Sequence, residues 1–178
     1  LDETLHTPAT HHQPLETRTA MAYWQNGKLY VHGSTQSVAQ TVPNIARMVG
    51  LKVEEVVLIS EFTGGGFGSK IPGSHSMAIP ALMSKKVNAP CMLRITREEE
   101  QYIGGIRPAV HGRVKAGFAK DGKLLALDLF LVGENSAYEA QADANGGGRF
   151  VSLLYQPEAM RSRGITVLTN TPPRRAQS

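Results

Sequence analysis

Thr63-Gly64-Gly65-Gly66-Phe67-Gly68-Ser69-Lys70 decides how this chain is read. The run follows the apolar segment Val56-Val57-Leu58-Ile59, patterned as a strand, and precedes a stretch patterned as a helix. Four glycines about one aromatic ring let a backbone bend sharply and approach a ligand closely, because no Cβ stands in the way. N–H groups freed by such a turn can be offered to an anion. A strand-to-helix turn that binds nothing would use the same residues, so the run alone leaves both readings open. Two phosphate-loop signatures are excluded. A Walker loop closes on Gly-Lys-Ser/Thr, whereas the order here is Gly68-Ser69-Lys70 and the spacing from Gly64 is wrong. A dinucleotide fingerprint fails at its third glycine, where Ser69 stands, and no acidic residue follows about 20 positions on.

Outward from this loop the pattern alternates hairpins and helices. Asn26-Gly27, between the β-rich runs Ala20-Met21-Ala22-Tyr23-Trp24 and Lys28-Leu29-Tyr30-Val31-His32, is the strongest short hairpin signal. Ser34 or Ser37 caps a helix reaching Val49, with Val38, Val42, Ile45 and Val49 as its apolar stripe. Pro43 should kink or divide that helix, and Gly50 ends it. Residues 53–62 read as a strand leading into the loop. Residues 74–86 read as a second helix around Pro80, broken by Asn88 and Pro90, and 91–96 as a short strand. Thr96-Arg97-Glu98-Glu99 opens a short helix with a capping box. Residues 110–118 and 123–132 are strands about Lys120-Asp121-Gly122, a second hairpin turn. Asn145-Gly146-Gly147-Gly148 reads as a loop, and 165–168 as a last short strand. Residues 1–19 form an extended opening segment. The expectation is one α+β domain over 1–178, a mixed sheet with β-hairpins and packed helices rather than a purely parallel sheet.

A chain of 178 residues, 41% of them hydrophobic, suits one domain with a real core. No apolar run approaches the roughly 20 residues that span a bilayer, so no membrane partner is expected. Leu1-Asp2-Glu3-Thr4 lacks signal-peptide features, and the missing initiator Met suggests a processed chain or a fragment. The net charge of +4 raises the question of nucleic acid. The basic residues are scattered, apart from Arg161, Arg163, Arg174 and Arg175, and lack aromatic interleaving, so no nucleic-acid partner is expected. Such a basic end would instead face a pyrophosphate or a partner subunit. Cys91 is the only cysteine, which excludes an internal disulfide and any iron–sulfur cluster held by this chain alone. Its apolar neighbours suggest a buried, inert thiol. His11 and His12 are adjacent rather than spaced as helical metal ligands, and His32, His75 and His111 are isolated, so no metal site is expected on them. Glu98-Glu99-Glu100 reads as a solvated helix start.

The glycine loop resembles the GGGFG-K segment of the molybdenum-binding subunit of the xanthine dehydrogenase/aldehyde oxidase family. The resemblance extends in order along the chain. It includes His12-Gln13-Pro14-Leu15-Glu16, Gly33-Ser34-Thr35-Gln36, Leu93-Arg94-Ile95-Thr96-Arg97-Glu98-Glu99-Glu100 and Gly104-Gly105-Ile106-Arg107-Pro108. Gly122-Lys123-Leu124-Leu125-Ala126-Leu127 and Thr169-Asn170-Thr171-Pro172-Pro173 follow. It runs from about position 8 to the C-terminus, and ordered motifs over that length are far more specific than any one of them. The resemblance implies the first portion of a molybdopterin-binding region.

On pattern alone Gln36 is a polar residue in a helix's first turn, or an amide able to donate and accept around a polar cofactor. The resemblance places the Gln of this motif near the oxo ligand of molybdenum, making Gln36 a cofactor and catalytic candidate. It makes Gly66, Phe67 and Gly68 cofactor-binding candidates, with Phe67 shielding the site and a backbone N–H reaching an oxygen. The plain alternative is that Phe67 plugs the core under a tight turn. Ile71 departs from the purine-oxidising members, which carry Glu after the loop lysine, and favours a less polar aldehyde or aromatic heterocycle. Arg149 lies where those members carry a substrate-polarising Arg, the second catalytic candidate, beside the reading as a surface Arg in a loop. The family's later cofactor-contacting Arg aligns with Ser178, or with Arg175 across a gap.

The implied function is part of a molybdenum hydroxylase, which inserts a water-derived oxygen at an electron-poor carbon of an aldehyde or aromatic heterocycle. Its general base lies in a later Gly-Glu segment that this chain lacks, so the chain is incomplete as a catalyst alone. The implied cofactor is molybdopterin, the cytosine dinucleotide being one form, with molybdenum in the complete assembly. Implied partners are the remaining molybdenum-subunit portion, iron–sulfur and flavin subunits, a small-molecule substrate and a second copy of the chain. The expected compartment is cytoplasmic, with the periplasm as the other option. The alternative is a non-catalytic structural module or truncated relative that keeps the fold without the cofactor.

Overall fold

The computed structural model describes residues 1–137 and 146–176. Its elements run β1 (Asp2–Thr7), β2 (Thr10–His11), β3 (Thr19–Gln25), β4 (Lys28–Gly33), α1 (Val38–Val49), β5 (Val56–Ile59), α2 (His75–Val87), β6 (Cys91–Arg94), α3 (Arg97–Ile103), β7 (Ile106–Arg107), β8 (Val110–Phe118), β9 (Leu124–Ser136), α4 (Gly146–Tyr155) and β10 (Ala159–Thr169). Helices with mixed sheets make the chain α+β, as the pattern predicts. The contacts gather into two compact units, Leu1–Thr10 with Ile106–Arg174, and His11–Gly105 with Arg175–Ser178.

The second unit holds the glycine loop. Its sheet has the order β5-β4-β3-β6. Asn26 and Gly27 both take positive φ and close the β3–β4 hairpin, while β4 pairs parallel with β5. The inward positions of β3 are Ala20 and Ala22, small enough for Met77 and Ala81 of α2 to bury against the sheet with Leu29, Val31 and Ile45. Ser37 caps α1 through its hydroxyl, and Gly50 ends it in the left-handed conformation. Pro43 lies inside α1 without dividing it. The lost bond there is outweighed by burial of Thr41, Ile45 and Ala46 on the same helix.

Two elements differ from the sequence pattern here. The strand expected over 53–62 is only Val56–Ile59, preceded by the 3₁₀ turn Val53–Glu55. The Glu55 carboxylate accepts from Lys52 N–H at 2.7 Å and folds those residues into the turn. The strand stops at Ile59 because its partner strand β4 is nearly used up, His32 being the last residue paired. Cys91 is half-buried rather than buried, since β6 is an edge strand.

The first unit is a four-stranded sheet of order β1-β8-β9-β10. The β8–β9 hairpin turns at Gly122, φ +89°, with Asp121 accepting from Lys123 N–H at 3.0 Å. The opening segment supplies β1, paired antiparallel with β8 from Asp2↔Lys115 to Thr7↔Val110. A hydrogen bond from Arg113, with Lys115 nearby, holds the Asp2 carboxyl down at about 2. β10 pairs parallel with β9 over Ala159–Thr169, well beyond the expected 165–168. Its first half is polar because it is an edge strand with a solvated face. Arg161 Nε donates to Asp128 at 2.9 Å, and Arg163 lies over the Phe130 ring. Gly146-Gly147-Gly148 opens helix α4 and is not a loop. A methyl at Gly148 would reach 2.8 Å from Ser162 Cβ, so glycine here serves close approach of the helix to the sheet rather than a turn. Asn145 lies outside the described residues.

Candidate functional site

The glycine loop leaves β5 and is held from three sides by the second unit. From the α1 side, Gln36 Oε1 accepts from Gly68 N–H at 2.8 Å and from Lys70 N–H at 3.2 Å. The Thr35 hydroxyl donates to Lys70 O at 3.0 Å and lies 2.7 Å from the Thr41 hydroxyl. From the opening segment, Glu16 pairs with Lys70, Nζ to Oε2 at 2.8 Å, and accepts from Gly64 N–H at 2.7 Å. From the start of β3, Arg18 Nη2 donates to Ser69 O at 2.6 Å. Within the loop, Ser69 N–H and Oγ both donate to Gly66 O, each at 2.8 Å.

These contacts explain the loop's composition. A methyl at Gly66 would come within 2.6 Å of Gln36 Cδ, and one at Gly64 within 2.6 Å of Glu16 Cβ. The glycines admit the two side chains that grip the loop. Phe67 takes φ +52°, rare for a bulky residue, and is 53% exposed. Phe67 therefore does not plug the core. It stands outward on a turn whose flanking backbone is tied down.

Gln36 is exposed, and its orientation follows from chemistry. Two N–H donors converge on one end of the amide, so that end is the oxygen and the NH2 group turns away from the loop. No acceptor among the described residues engages that NH2. Gly68, a cofactor-binding candidate, has its N–H spent on Gln36. The N–H groups of Gly65, Gly66 and Phe67 carry no hydrogen bond among the described residues. The uncommitted donors of the loop and its grip thus include the Gln36 amide and these backbone groups.

Lys70 looks like a phosphate-binding lysine in sequence but is buried, its ammonium held by the backbone carbonyl and carboxylate of Glu16. Burial pushes the Glu16 carboxyl up, but the Lys70 ammonium, Gly64 N–H and Ser34 hydroxyl outweigh it and leave Glu16 below the ordinary carboxylate range. A pocket of about 220 Å³ opens beside this pair, lined by Glu16, His32, Ser34 and Phe62 among others.

Glu100 corrects the expectation of a solvated acidic run. It is buried on α3 and forms an ion pair with Arg18, also accepting from Arg18 N–H at 3.0 Å. Only Glu99 of the run does the capping, accepting from Thr96 N–H at 2.8 Å. His12 is buried with its ring nitrogens against Gly105 O and Ala176 O. Arg175 is buried, donating to Ile71 O at 3.4 Å, and Ser178 lies outside the described residues. The structure thus brings Gln36, Gly66, Phe67 and Gly68 together. Arg149 belongs to the other unit, exposed on α4 rather than in a loop, with no side-chain partner among the described residues. Glu16, Arg18, Lys70 and Glu100 complete the grip. Their signal was present in sequence, since Glu16, Lys70 and Glu100 lie inside the ordered motifs, but nothing in spacing pairs them.

The family model described as molybdopterin cofactor-binding domain matches residues 1–177. The aldehyde oxidoreductase of Megalodesulfovibrio gigas is 32% identical over 162 residues, 89% of this chain and 18% of that protein. Xanthine dehydrogenase 2 of Arabidopsis thaliana is 31% identical over 166 residues, 90% of this chain and 12% of that protein. Among solved structures, the aldehyde oxidoreductase from Desulfovibrio gigas superposes with a TM-score of 0.84 at 26% identity, covering 99% of this chain and 20% of that one. Quinoline 2-oxidoreductase from Pseudomonas putida 86 shares the fold, with a TM-score of 0.91 at 20% identity over 99% of this chain and 23% of that one. The chain spans less than a fifth of the length of these two curated relatives. By its match over 1–177, the chain belongs to the molybdopterin cofactor-binding domain family.

Proposed function

We propose that this chain supplies one wall of the cofactor site of a molybdenum hydroxylase acting on an aldehyde or aromatic heterocycle. The observation that carries the reading is the Gln36 amide, whose oxygen is locked onto the glycine loop while its NH2 group is left as a fixed outward donor. The donor set fits an oxygen-rich group. The Gln36 NH2 and the N–H groups of Gly65 and Phe67 are uncommitted, while Glu16, the acid against the loop, is neutralised by Lys70. When bound, a molybdopterin–molybdenum group supplies the redox chemistry that places a water-derived oxygen on an electron-poor carbon. Gln36 would hold that group by donation from its NH2, and the exposed Phe67 ring would exclude water beside it. Molybdopterin is the cofactor we take, the cytosine dinucleotide being one form of it.

The substrate class rests on Ile71, whose side chain cannot ionise and whose carbonyl is already taken by Arg175. The aldehyde named in the relative with 32% identity is consistent with it. Arg149 would polarise the substrate, a role open to its exposed guanidinium. The partners are the remaining portion of the molybdenum subunit, then iron–sulfur and flavin subunits. Apolar surface supports a partner: Ile79, Leu82, Met83 and Val87 form a second stripe on α2, each about half exposed, opposite the face buried on the sheet.

The test is Gln36→Glu against Gln36→Ala, read as molybdenum and pterin content of protein purified from its host and as turnover in the complete assembly. Gln36→Glu keeps an acceptor for the loop but replaces the donor by an anion, so it should fold and lose cofactor. Gln36→Ala should cost about 1–3 kcal/mol of transition-state stabilisation. Full cofactor content and turnover in Gln36→Glu would refute the assignment and favour the structural-module reading.

A further inference from the structure

Beyond the cradle that touches the ligand side, the loop depends on one buried cation that the proposed chemistry does not use. Arg18 is 5% exposed and Glu100 3% exposed. Arg18 Nη1 pairs with Glu100 Oε1, its backbone N–H donates to Glu100 Oε2 at 3.0 Å, and Nη2 donates to Ser69 O at 2.6 Å. One guanidinium therefore links α3 to the glycine loop. Its plane makes this possible, because the fork places donors on two separate nitrogens, Nη1 for the carboxylate and Nη2 for the carbonyl, whereas a lysine's donors all leave one nitrogen. Ser69 is the residue through which the grip acts. Its N–H and Oγ both close on Gly66 O at 2.8 Å, so fixing the Ser69 carbonyl fixes the turn that carries Phe67 and Gly68. Gly68 N–H in turn holds the Gln36 oxygen at 2.8 Å and sets which way its NH2 points.

The motif glycine beside this pair fits the same logic. A methyl at Gly104 would collide first with the Glu100 backbone carbonyl, and would also press to 3.0 Å from Glu100 Oε1 and 3.1 Å from Arg18 Nη1. Gly104 thus serves the tight end of α3 and, beside it, the space the ion pair occupies.

We infer that Arg18, seated by Glu100, is a positioning residue: through the Ser69 carbonyl it sets the Gly66–Ser69 turn and so aims the Gln36 donor. This rests on the cofactor reading only for what the donor is aimed at. The placement of the turn does not depend on it.

The experiment compares the full chain with Arg18→Lys and with the double variant R18Q/E100Q, by amide hydrogen exchange and by thermal melting. The lysine keeps one charge beside Glu100 but offers a single nitrogen where the guanidinium uses two to reach the carboxylate and the Ser69 carbonyl. The double variant removes both charges and leaves neither buried alone. Exchange at Gly68 and Lys70 should speed about 10- to 100-fold in both variants, the scale of one lost charge-assisted hydrogen bond. Core amides at Val31 and Ile45 should be unchanged. Gly68 and Lys70 exchanging at the original rate, or core and loop accelerating together, would overturn the inference, since a merely structural pair moves every amide or none. Pterin retention in the complete assembly is the second readout. Arg18→Lys should retain less pterin while melting near the parent temperature. A loosened loop with full pterin retention would uphold Arg18 as the residue that sets the turn and refute the loop's cofactor role instead.

Discussion

Gly66→Ala probes how tightly loop and amide are matched. The added methyl would stand 2.6 Å from Gln36 Cδ and 2.8 Å from Cγ, closer than real Cβ contacts come. The relief route is clear: Gln36 is exposed, so its side chain can swing into water, but only by giving up the bonds from Gly68 N–H and Lys70 N–H. Two such bonds are worth about 1 kcal/mol each, less where water replaces one partner, so the loss is about 1–2 kcal/mol. Gly66 does not have positive φ, so alanine also restricts the unfolded chain and returns about 0.4–1 kcal/mol. The net cost is about 0–1.6 kcal/mol, a drop in Tm of at most roughly 6 °C for a chain of this size. The decisive comparison is a double-mutant cycle with Gln36→Ala, measured by chemical denaturation of four proteins. With the amide already removed, Gly66→Ala has nothing to displace and should be neutral or slightly stabilising. The coupling should therefore reach about 1 kcal/mol or more. Additive effects within about 0.3 kcal/mol would show that Gly66 is not glycine for the sake of Gln36.

Phe67→Ala should cost under about 1 kcal/mol in denaturation, because the ring is exposed, against the about 3–5 kcal/mol of a buried ring. Its effect should fall on cofactor content instead. Glu16 gives a pH dependence. Its folded carboxyl sits below its ordinary value, so its stabilising contribution is complete above the unfolded pKa of about 4.5 and fades as pH falls through the folded value. Melting from pH 6 to pH 3 should therefore show a loss of Tm that Lys70→Met flattens, and parallel slopes would contradict it. Gly148→Ala should lower stability by about 1–3 kcal/mol, through collision with Ser162, and should release α4 from its sheet in hydrogen exchange.

What the sequence yields depends on how local the cause is. The Asn26-Gly27 turn, the Thr96 capping box and the Gly50 stop were readable because a few adjacent residues decide them. The length of β10 was not, since Arg161 and Ser162 look like loop residues until Asp128 and the edge position are known. Gly146–Gly148 misleads for a related reason, because their smallness serves contact with β9 and β10. Gln36 and the loop could be named as motifs. That Lys70 faces inward to Glu16, and that Glu100 answers Arg18, depends on pairings 54 and 82 positions apart that no local pattern encodes.

The placement of β1 has a consequence for the order in which the chain folds. Residues 2–7 have no partner until β8 exists, over a hundred positions later: Leu1 O accepts from Ala116 N–H at 2.9 Å. Nearly all of the loop-bearing unit lies between His11 and Gly105. During synthesis it can collapse and seat its helices while the first strand still trails unpaired. Closing a loop of that size carries an entropic cost that only the completed β8–β9 hairpin repays, so the β1-β8-β9-β10 sheet should form last and slowest. Pulse-labelled refolding should then protect Val31 and Ile45 well before Glu3 and Leu5.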